Sequence, residues 1–426
     1  MGIFIQNLEN LKNYKYQGED RSIVTKYFLK PYWWSNFVKV FPHWFAPNLV
    51  TLSGFGFIVA NILTCLYYDP YLDNPDVPSW TIVSYAIGLF MYQTFDACDG
   101  MQARKTGQSG PLGELFDHCV DALNTSLSVI IFASVTKMGY GWMFIISQFA
   151  VLANFYLSTW EEYHTHILFL SEFSGPVEGI LMIVILYLAT AYYGSSIWTV
   201  EWFRVNLVSF LPSGLINILS YLGFVQLTID QEGLLSAFAS VDASSIYIIL
   251  GSGSLYFNII SAYNNVKRIY AKNKSIDYLK ESHKAIKGLV PFAMYYASVV
   301  AFLIVSTPHI FTNTSSFLPF VLQIGTSMAF TVGRIIISHL TLSEFPHRLP
   351  TLYLPTLQVA AYGLVKFLNW SSGVGIALDV AVNNIAWAGF GISMGIYGCF
   401  IAEIITEISS FLDIWVLRIK HPKKLD

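Results

Sequence analysis

The chain has 426 residues, of which 54% are hydrophobic and only 12% charged, against roughly 25% charged in an ordinary soluble domain. That much apolar surface cannot be hidden in a water-soluble core, so the composition excludes a soluble globular protein and points to the membrane. The net charge of −3 identifies no partner by itself, and no nucleic-acid partner is expected.

Residues 1–45 are polar and basic and read as a cytosolic amphipathic segment. They lack the apolar stretch of a cleavable signal, so the first apolar span is expected to act as the targeting signal. Ten spans of helical length follow, at roughly 46–68, 80–104, 112–135, 140–160, 176–195, 244–266, 288–306, 317–340, 351–368 and 380–412. The predicted fold is therefore all-α, a polytopic integral membrane protein with about ten transmembrane helices. The stretch 201–226 is interrupted by Pro212 and Gly214 and reads as an excursion outside the bilayer. In the last span, Gly389, Gly391, Gly395 and Gly398 have spacings that allow close helix contact.

With the N-terminus in the cytosol, 20 of the 24 Lys and Arg residues fall on the cytosolic side. Seven of these lie in the 267–287 loop; Lys137, Arg204 and Lys366 fall on the other side, and Arg334 lies inside a span. The positive-inside rule supports this topology, with both termini cytosolic. Arg334 reads as a snorkelling anchor. Cys65, Cys98, Cys119 and Cys399 fit neither a zinc spacing nor a disulfide framework and read as small buried apolar residues. Of the sequons at Asn124, Asn273, Asn313 and Asn369, only the last two fall on the lumenal side, and glycosylation is not expected.

The chemistry concentrates in DACDGMQARKTGQSGPLGELFDHCVD, residues 96–121. Asp96 and Asp99 share one face of the second helix. Gly100 and Ala103 follow them at one-turn spacings, so the face stays lined by small residues. After a short Gly-rich turn, Glu114, Asp117, His118 and Asp121 fall on one arc of the third helix. Four carboxylates facing each other across that turn would repel strongly unless divalent cations bind there. Their hard oxygen ligands suit Mg2+ or Mn2+, one ion or two. Two such ions would neutralise a diphosphate during in-line displacement, and Arg104 could bind a phosphate oxygen. A single acidic pair at a helix end is usually only solvated. Two facing pairs at membrane depth point to function.

The spacing Asp-x2-Asp-Gly-x2-Ala-Arg-x8-Gly-x3-Asp-x3-Asp, which closes on Gly113, Asp117 and Asp121, resembles the signature of the CDP-alcohol phosphotransferases at all eight fixed positions. The resemblance implies that Asp96, Asp99 and Asp117 bind metal and that Asp121 binds metal or serves as the base. It further implies transfer of a phosphoalcohol from a CDP-linked donor with release of CMP. FPHWFAPNLVTLSG at 41–54 looks like that family's opening helix, with Asn48 and Thr51 near the nucleotide. PLGELFDHCVD and STWEEYHTHILFLSEFSGPVEG look like the eukaryotic, fungal-like choline and ethanolamine phosphotransferases. That branch implies CDP-choline or CDP-ethanolamine as donor and diacylglycerol as acceptor, in the endoplasmic reticulum or Golgi membrane. It also implies a homodimer and a cytosol-facing site.

On this reading residues 46–195 are the catalytic core. Residues 196–412 add helices for the acceptor lipid and a dimer interface, and 413–426 form a basic cytosolic tail. The diacylglycerol hydroxyl must lose a proton, with His118, Asp121 and Glu114 as candidate bases. His118 is favoured, because a metal-bound carboxylate is a poor base; the plainer reading of His118 is a hydrogen-bonding residue facing a helix. In WEEYHTH, a polar cytosolic loop is a better account of His164 and His166 than a metal site. Glu162 or Tyr163 would suit a cationic headgroup. The competing readings are a synthase using CDP-diacylglycerol and an ion transporter with intramembrane carboxylates.

Overall fold

The computed structural model describes residues 4–14, 17–20, 22–170, 175–229, 235–272, 278–373 and 375–422. Lys15, Arg21, Asn273, Lys274, Lys423 and Lys424 lie outside the described residues, as does 171–174 of the segment following WEEYHTH.

Among the described residues, ten helices are long. They are α1 (Pro47–Tyr68), α2 (Ser79–Thr106), α3 (Pro111–Thr136), α4 (Trp142–Thr165), α5 (Pro176–Tyr193), α6 (Ala243–Lys272), α7 (Val290–Ser306), α8 (Thr314–Leu340), α9 (Leu354–Ser372) and α10 (Leu378–Leu412). Each coincides with an expected span. Eight helices are long and apolar enough to cross a membrane. The other two expected spans are α2, which ends in the charged motif, and the shorter α9. The protein is thus an all-α polytopic membrane protein, and residues 201–226 hold no helix long enough to cross a membrane.

That excursion is nevertheless not helical throughout. Three short strands form an antiparallel sheet, β3 (Phe203–Asn206), β5 (Leu235–Val241) and β4 (Gln226–Ile229), in that spatial order. It packs on a short helix, Ser213–Tyr221, around Ile216, Val225 and Ala237. A second, two-stranded pairing joins β1 (Gly18–Asp20) in parallel to β2 (Leu168–Leu170).

The helices α3 and α8 lie at the centre, and α8 packs on α3, α4 and α10. Both are largely buried along their length, and their polar residues face other helices rather than a solvated side. Small residues let them approach: a Cβ on Gly333 would stand 2.5 Å from the Phe400 ring. Polar side chains join the helices inside the bundle. The amides of Gln323 and Gln358 bond each other reciprocally at 3.0 and 2.7 Å, and a Cβ on Gly389 would stand 2.0 Å from the Gln323 oxygen. The expectation of close contacts at the tail-helix glycines therefore holds at Gly389 alone. Gly391, Gly395 and Gly398 meet no neighbour within 4 Å.

Three further expectations are corrected. Arg334 does not snorkel: its guanidinium donates to the Phe4 carbonyl, while Glu403 accepts the Phe4 N–H at 2.6 Å. The pair pins the N-terminal segment to the bundle. Cys399 is exposed on α10, unlike the three buried cysteines. WEEYHT is not a loop but the last turns of α4, with Glu161 and Glu162 buried. Lys137, one of the cations counted on the lumenal side, is held by an ion pair. Its ammonium lies 3.2 Å from Asp69, with both side chains buried. Asp69 also accepts from Ser134 at 2.6 Å and from the Asp73 and Asn74 amides at 2.9 and 3.0 Å. Asp69→Ala would leave a buried ammonium without a partner, which costs about 3–5 kcal/mol. A clearly lowered unfolding midpoint in detergent is expected, and an unchanged midpoint would show that the pair is dispensable.

Candidate active site

Three elements converge on the motif. The second half of α2 supplies Asp96 and Asp99, ending at Gly107, whose φ of 70° closes the helix in the left-handed region. Pro111 then starts α3 at a position where its missing N–H costs nothing, and α3 supplies Asp117 and Asp121. The first turns of α1 bring in Asn48 and Thr51, both buried.

The geometry draws the two acidic pairs together. Asp96, Asp99 and Asp117 each offer a carboxylate oxygen within 4.8 Å of the others. Thr51 donates to Asp99 and Tyr92 donates to Asp121, which holds these two carboxylates in place. Asp117 Oδ1 is buried and has no hydrogen-bond partner. Among the described residues, no Lys or Arg pairs with any of the four. Half-buried carboxylates this close together repel one another, and a hard divalent cation is the partner that this donor set fits.

The small residues behave as expected of a cradle. A Cβ on Gly100 would meet only Arg104 Nη1 at 3.5 Å, and one on Gly113 would meet Asn48 Oδ1 at 3.8 Å. Ala103 is buried on α2, and Arg104 is exposed at the rim.

Beside the aspartates lies a second cluster. His118 Nδ1 lies 2.9 Å from the Glu114 carbonyl, and Nε2 stands 3.2 Å from Glu162 Oε2. The latter contact is misaligned for a hydrogen bond, so Glu162 Oε2 has no hydrogen-bond donor. Glu114, Glu162 and His339 each place a ligand atom within 4.8 Å of the others, and Tyr14 donates to Glu114. Tyr163 turns away and donates to the Ser343 carbonyl at 2.8 Å. His164 and His166 do not join the aspartates. His164 Nδ1 is 2.8 Å from the Tyr270 hydroxyl, and His166 Nδ1 is 3.2 Å from His339 Nδ1. With Tyr163 and Ser343 these side chains line a cavity of about 270 Å³. Burial lowers the His166 pKa, so its imidazole stays neutral near pH 7.

Sequence reasoning missed Tyr14, Tyr92 and His339. Tyr92 lies one turn before Asp96, so helical spacing alone could have found it. Tyr14 and His339 reach Glu114 from remote segments and carry no local signal.

The N-terminal and C-terminal segments meet at this same end. Phe45 bridges to Arg418, and Gln108 in the motif turn donates to the His421 carbonyl at 3.2 Å.

Residues 44–210 match the CDP-alcohol phosphatidyltransferase family. Over the full length of both chains, the sequence is 46% identical to cholinephosphotransferase 1 of Saccharomyces cerevisiae. It is also 46% identical to choline/ethanolaminephosphotransferase 1 of the same yeast, over 99% of this chain and 100% of that one. Choline/ethanolaminephosphotransferase 1 of Arabidopsis thaliana is 33% identical over 96% of each. The motif, its convergence in space and these full-length likenesses place the chain, a transferase, in the CDP-alcohol phosphatidyltransferase family.

Proposed function

We propose that the protein transfers phosphocholine or phosphoethanolamine from CDP-choline or CDP-ethanolamine to diacylglycerol, giving phosphatidylcholine or phosphatidylethanolamine and CMP. The observation that carries this reading is the meeting of Asp96, Asp99 and Asp117 in a chain whose full-length relatives bear those names. The reading requires CMP release to depend on both a CDP-alcohol and diacylglycerol. Release from CDP-diacylglycerol plus a free alcohol would favour the synthase alternative instead. Direct competition between CDP-choline and CDP-ethanolamine sets the donor preference.

Asp96, Asp99, Asp117 and Asp121 are assigned to hold Mg2+ or Mn2+, two ions in the full site. Bound there, the ions would neutralise the diphosphate and stabilise charge on the attacking and leaving oxygens. Thr51 orients Asp99 and Tyr92 orients Asp121. Asn48, Thr51, Gly100, Ala103 and Gly113 leave room for the nucleotide, and Arg104 at the rim binds a phosphate oxygen. The acceptor hydroxyl oxygen attacks the phosphorus that bears the alcohol. The bond from that phosphorus to the bridging oxygen breaks, and CMP leaves.

His118 takes the hydroxyl proton. An Nδ1–H donated to the Glu114 carbonyl, 2.9 Å away, leaves Nε2, which stands 3.2 Å from Glu162 Oε2, as the nitrogen that accepts the proton. His118→Ala should lower turnover about 10²–10⁴-fold, the usual worth of a general base, with little change in donor KM. Wild-type turnover in that variant would pass the role to Asp121 or Glu114, to be checked with Asp121→Asn and Glu114→Gln.

The enzyme is assigned to the endoplasmic reticulum or Golgi membrane, with the site facing the cytosol. It is assigned as a homodimer, for which the open glycine stripe of α10 offers a contact surface. The meeting of both terminal segments with the motif turn supports a shared cytosolic face, as does the charge bias. A C-terminal tag should therefore be digested by protease added to sealed microsomes. A protected tag would reverse the orientation.

A further inference from the structure

Two glutamates in the second cluster each keep one oxygen that accepts no hydrogen bond, with a histidine as the nearest cationic group to one of them. Glu162 is 3% exposed, and its Oε2 accepts no hydrogen bond. Glu114 Oε1 is likewise buried and without a partner, although Tyr14 donates to the other oxygen. Glu161, the next residue on α4, shows what a satisfied structural glutamate looks like here: Asn265 donates to it at 2.7 Å. The groups that face Glu114 and Glu162 are His118, His339 and the Tyr14 hydroxyl. Among the described residues, no Lys or Arg pairs with either glutamate. A buried and a half-buried carboxylate side by side, each with an acceptor oxygen left empty and with His118 beside them, favour the arrival of a further cation.

The position says which cation. Glu114 lies on α3 about one helical turn before Asp117 and His118, so its carboxylate is displaced by about 5 Å from the aspartates assigned to the metal. A two-carbon amino alcohol carries its nitrogen a similar distance from its phosphorus. We infer that Glu114 and Glu162 form the seat of the donor's cationic nitrogen, which distinguishes a charged headgroup from a neutral one. This rests on the reading above that the donor is a CDP-linked amino alcohol. A primary ammonium can donate hydrogen bonds to both carboxylates. A trimethylammonium is held by charge alone, so the seat accepts both headgroups and excludes uncharged alcohols. Neither glutamate touches the reacting phosphorus on this account; both position the donor.

The test uses the full-length protein in detergent with diacylglycerol and Mg2+. It compares kcat/KM for CDP-choline with that for CDP-3,3-dimethylbutanol, the neutral isostere with carbon in place of nitrogen. The wild type should prefer the cation. Glu162→Gln should cut that preference about 10–100-fold, the worth of a charge-assisted contact. The loss for CDP-choline should come largely through its KM and should exceed any loss for the neutral donor, so the ratio falls. Glu114→Gln should act in the same direction, and Glu162→Asp should keep part of the preference. The ratio is taken within one preparation, so it does not depend on how much protein folds. If Glu162→Gln does not fold, Glu114→Gln and Glu162→Asp decide. An equal loss for both donors, or an unchanged ratio, would overturn the inference. A wild type that releases no CMP from CDP-choline would instead overturn the functional reading beneath it.

Discussion

Asp99→Asn is expected to abolish phosphoalcohol transfer while the protein still inserts and folds. The change is nearly isosteric. The Thr51 hydroxyl that donates to Asp99 can donate equally to an amide oxygen, so the packing between α1 and α2 survives. What is lost is one negative charge among three carboxylates whose oxygens lie within 4.8 Å of one another. An amide is a weaker ligand for a hard cation and carries no charge to neutralise one. Substitution of an outer-shell partner typically costs about 10–100-fold, and loss of a ligand should cost more. The check pairs CMP release with the unfolding midpoint of the purified variant. The midpoint should hold or rise, because repulsion within the cluster falls. Near-normal turnover would remove Asp99 from the ligand set.

Metal removal should have an effect as large. In chelator, no Lys or Arg among the described residues pairs with the aspartate cluster, and a diphosphate would bring further negative charge. EDTA should therefore abolish CMP release, and added Mg2+ or Mn2+ should restore it. Restoration also separates chelation from unfolding, because an unfolded protein would not recover. Full turnover in excess chelator would contradict the assignment of the four aspartates to metal.

Eight of the ten helices were legible because each carries a long apolar run, the strongest pattern a membrane chain can carry. The sheet of β3, β4 and β5 was not. Its strands are 4 to 7 residues long, and apolar runs that short do not distinguish strand from helix. The facing of Asp96 and Asp99 toward Asp117 could be read from helical spacing across a short turn. The second cluster could not, because its members come together only through tertiary packing. Tyr14 meets Glu114 from 100 residues away, and Phe4 meets Glu403 from 399 away. WEEYHT was taken for a polar loop because its charges suggested water. The fold instead buries Glu161 and Glu162 at the end of a helix, where one is satisfied by Asn265 and the other is left facing His118.

The central claim is tested most directly by following both products of one reaction. Purified protein would be given CDP-choline labelled in the headgroup, diacylglycerol of defined chains, and Mg2+. The account predicts CMP and one phospholipid in equal amounts, with label and both chains in the same molecule, and neither product when diacylglycerol is omitted. CMP released without lipid product, or label remaining in a water-soluble alcohol phosphate, would contradict it.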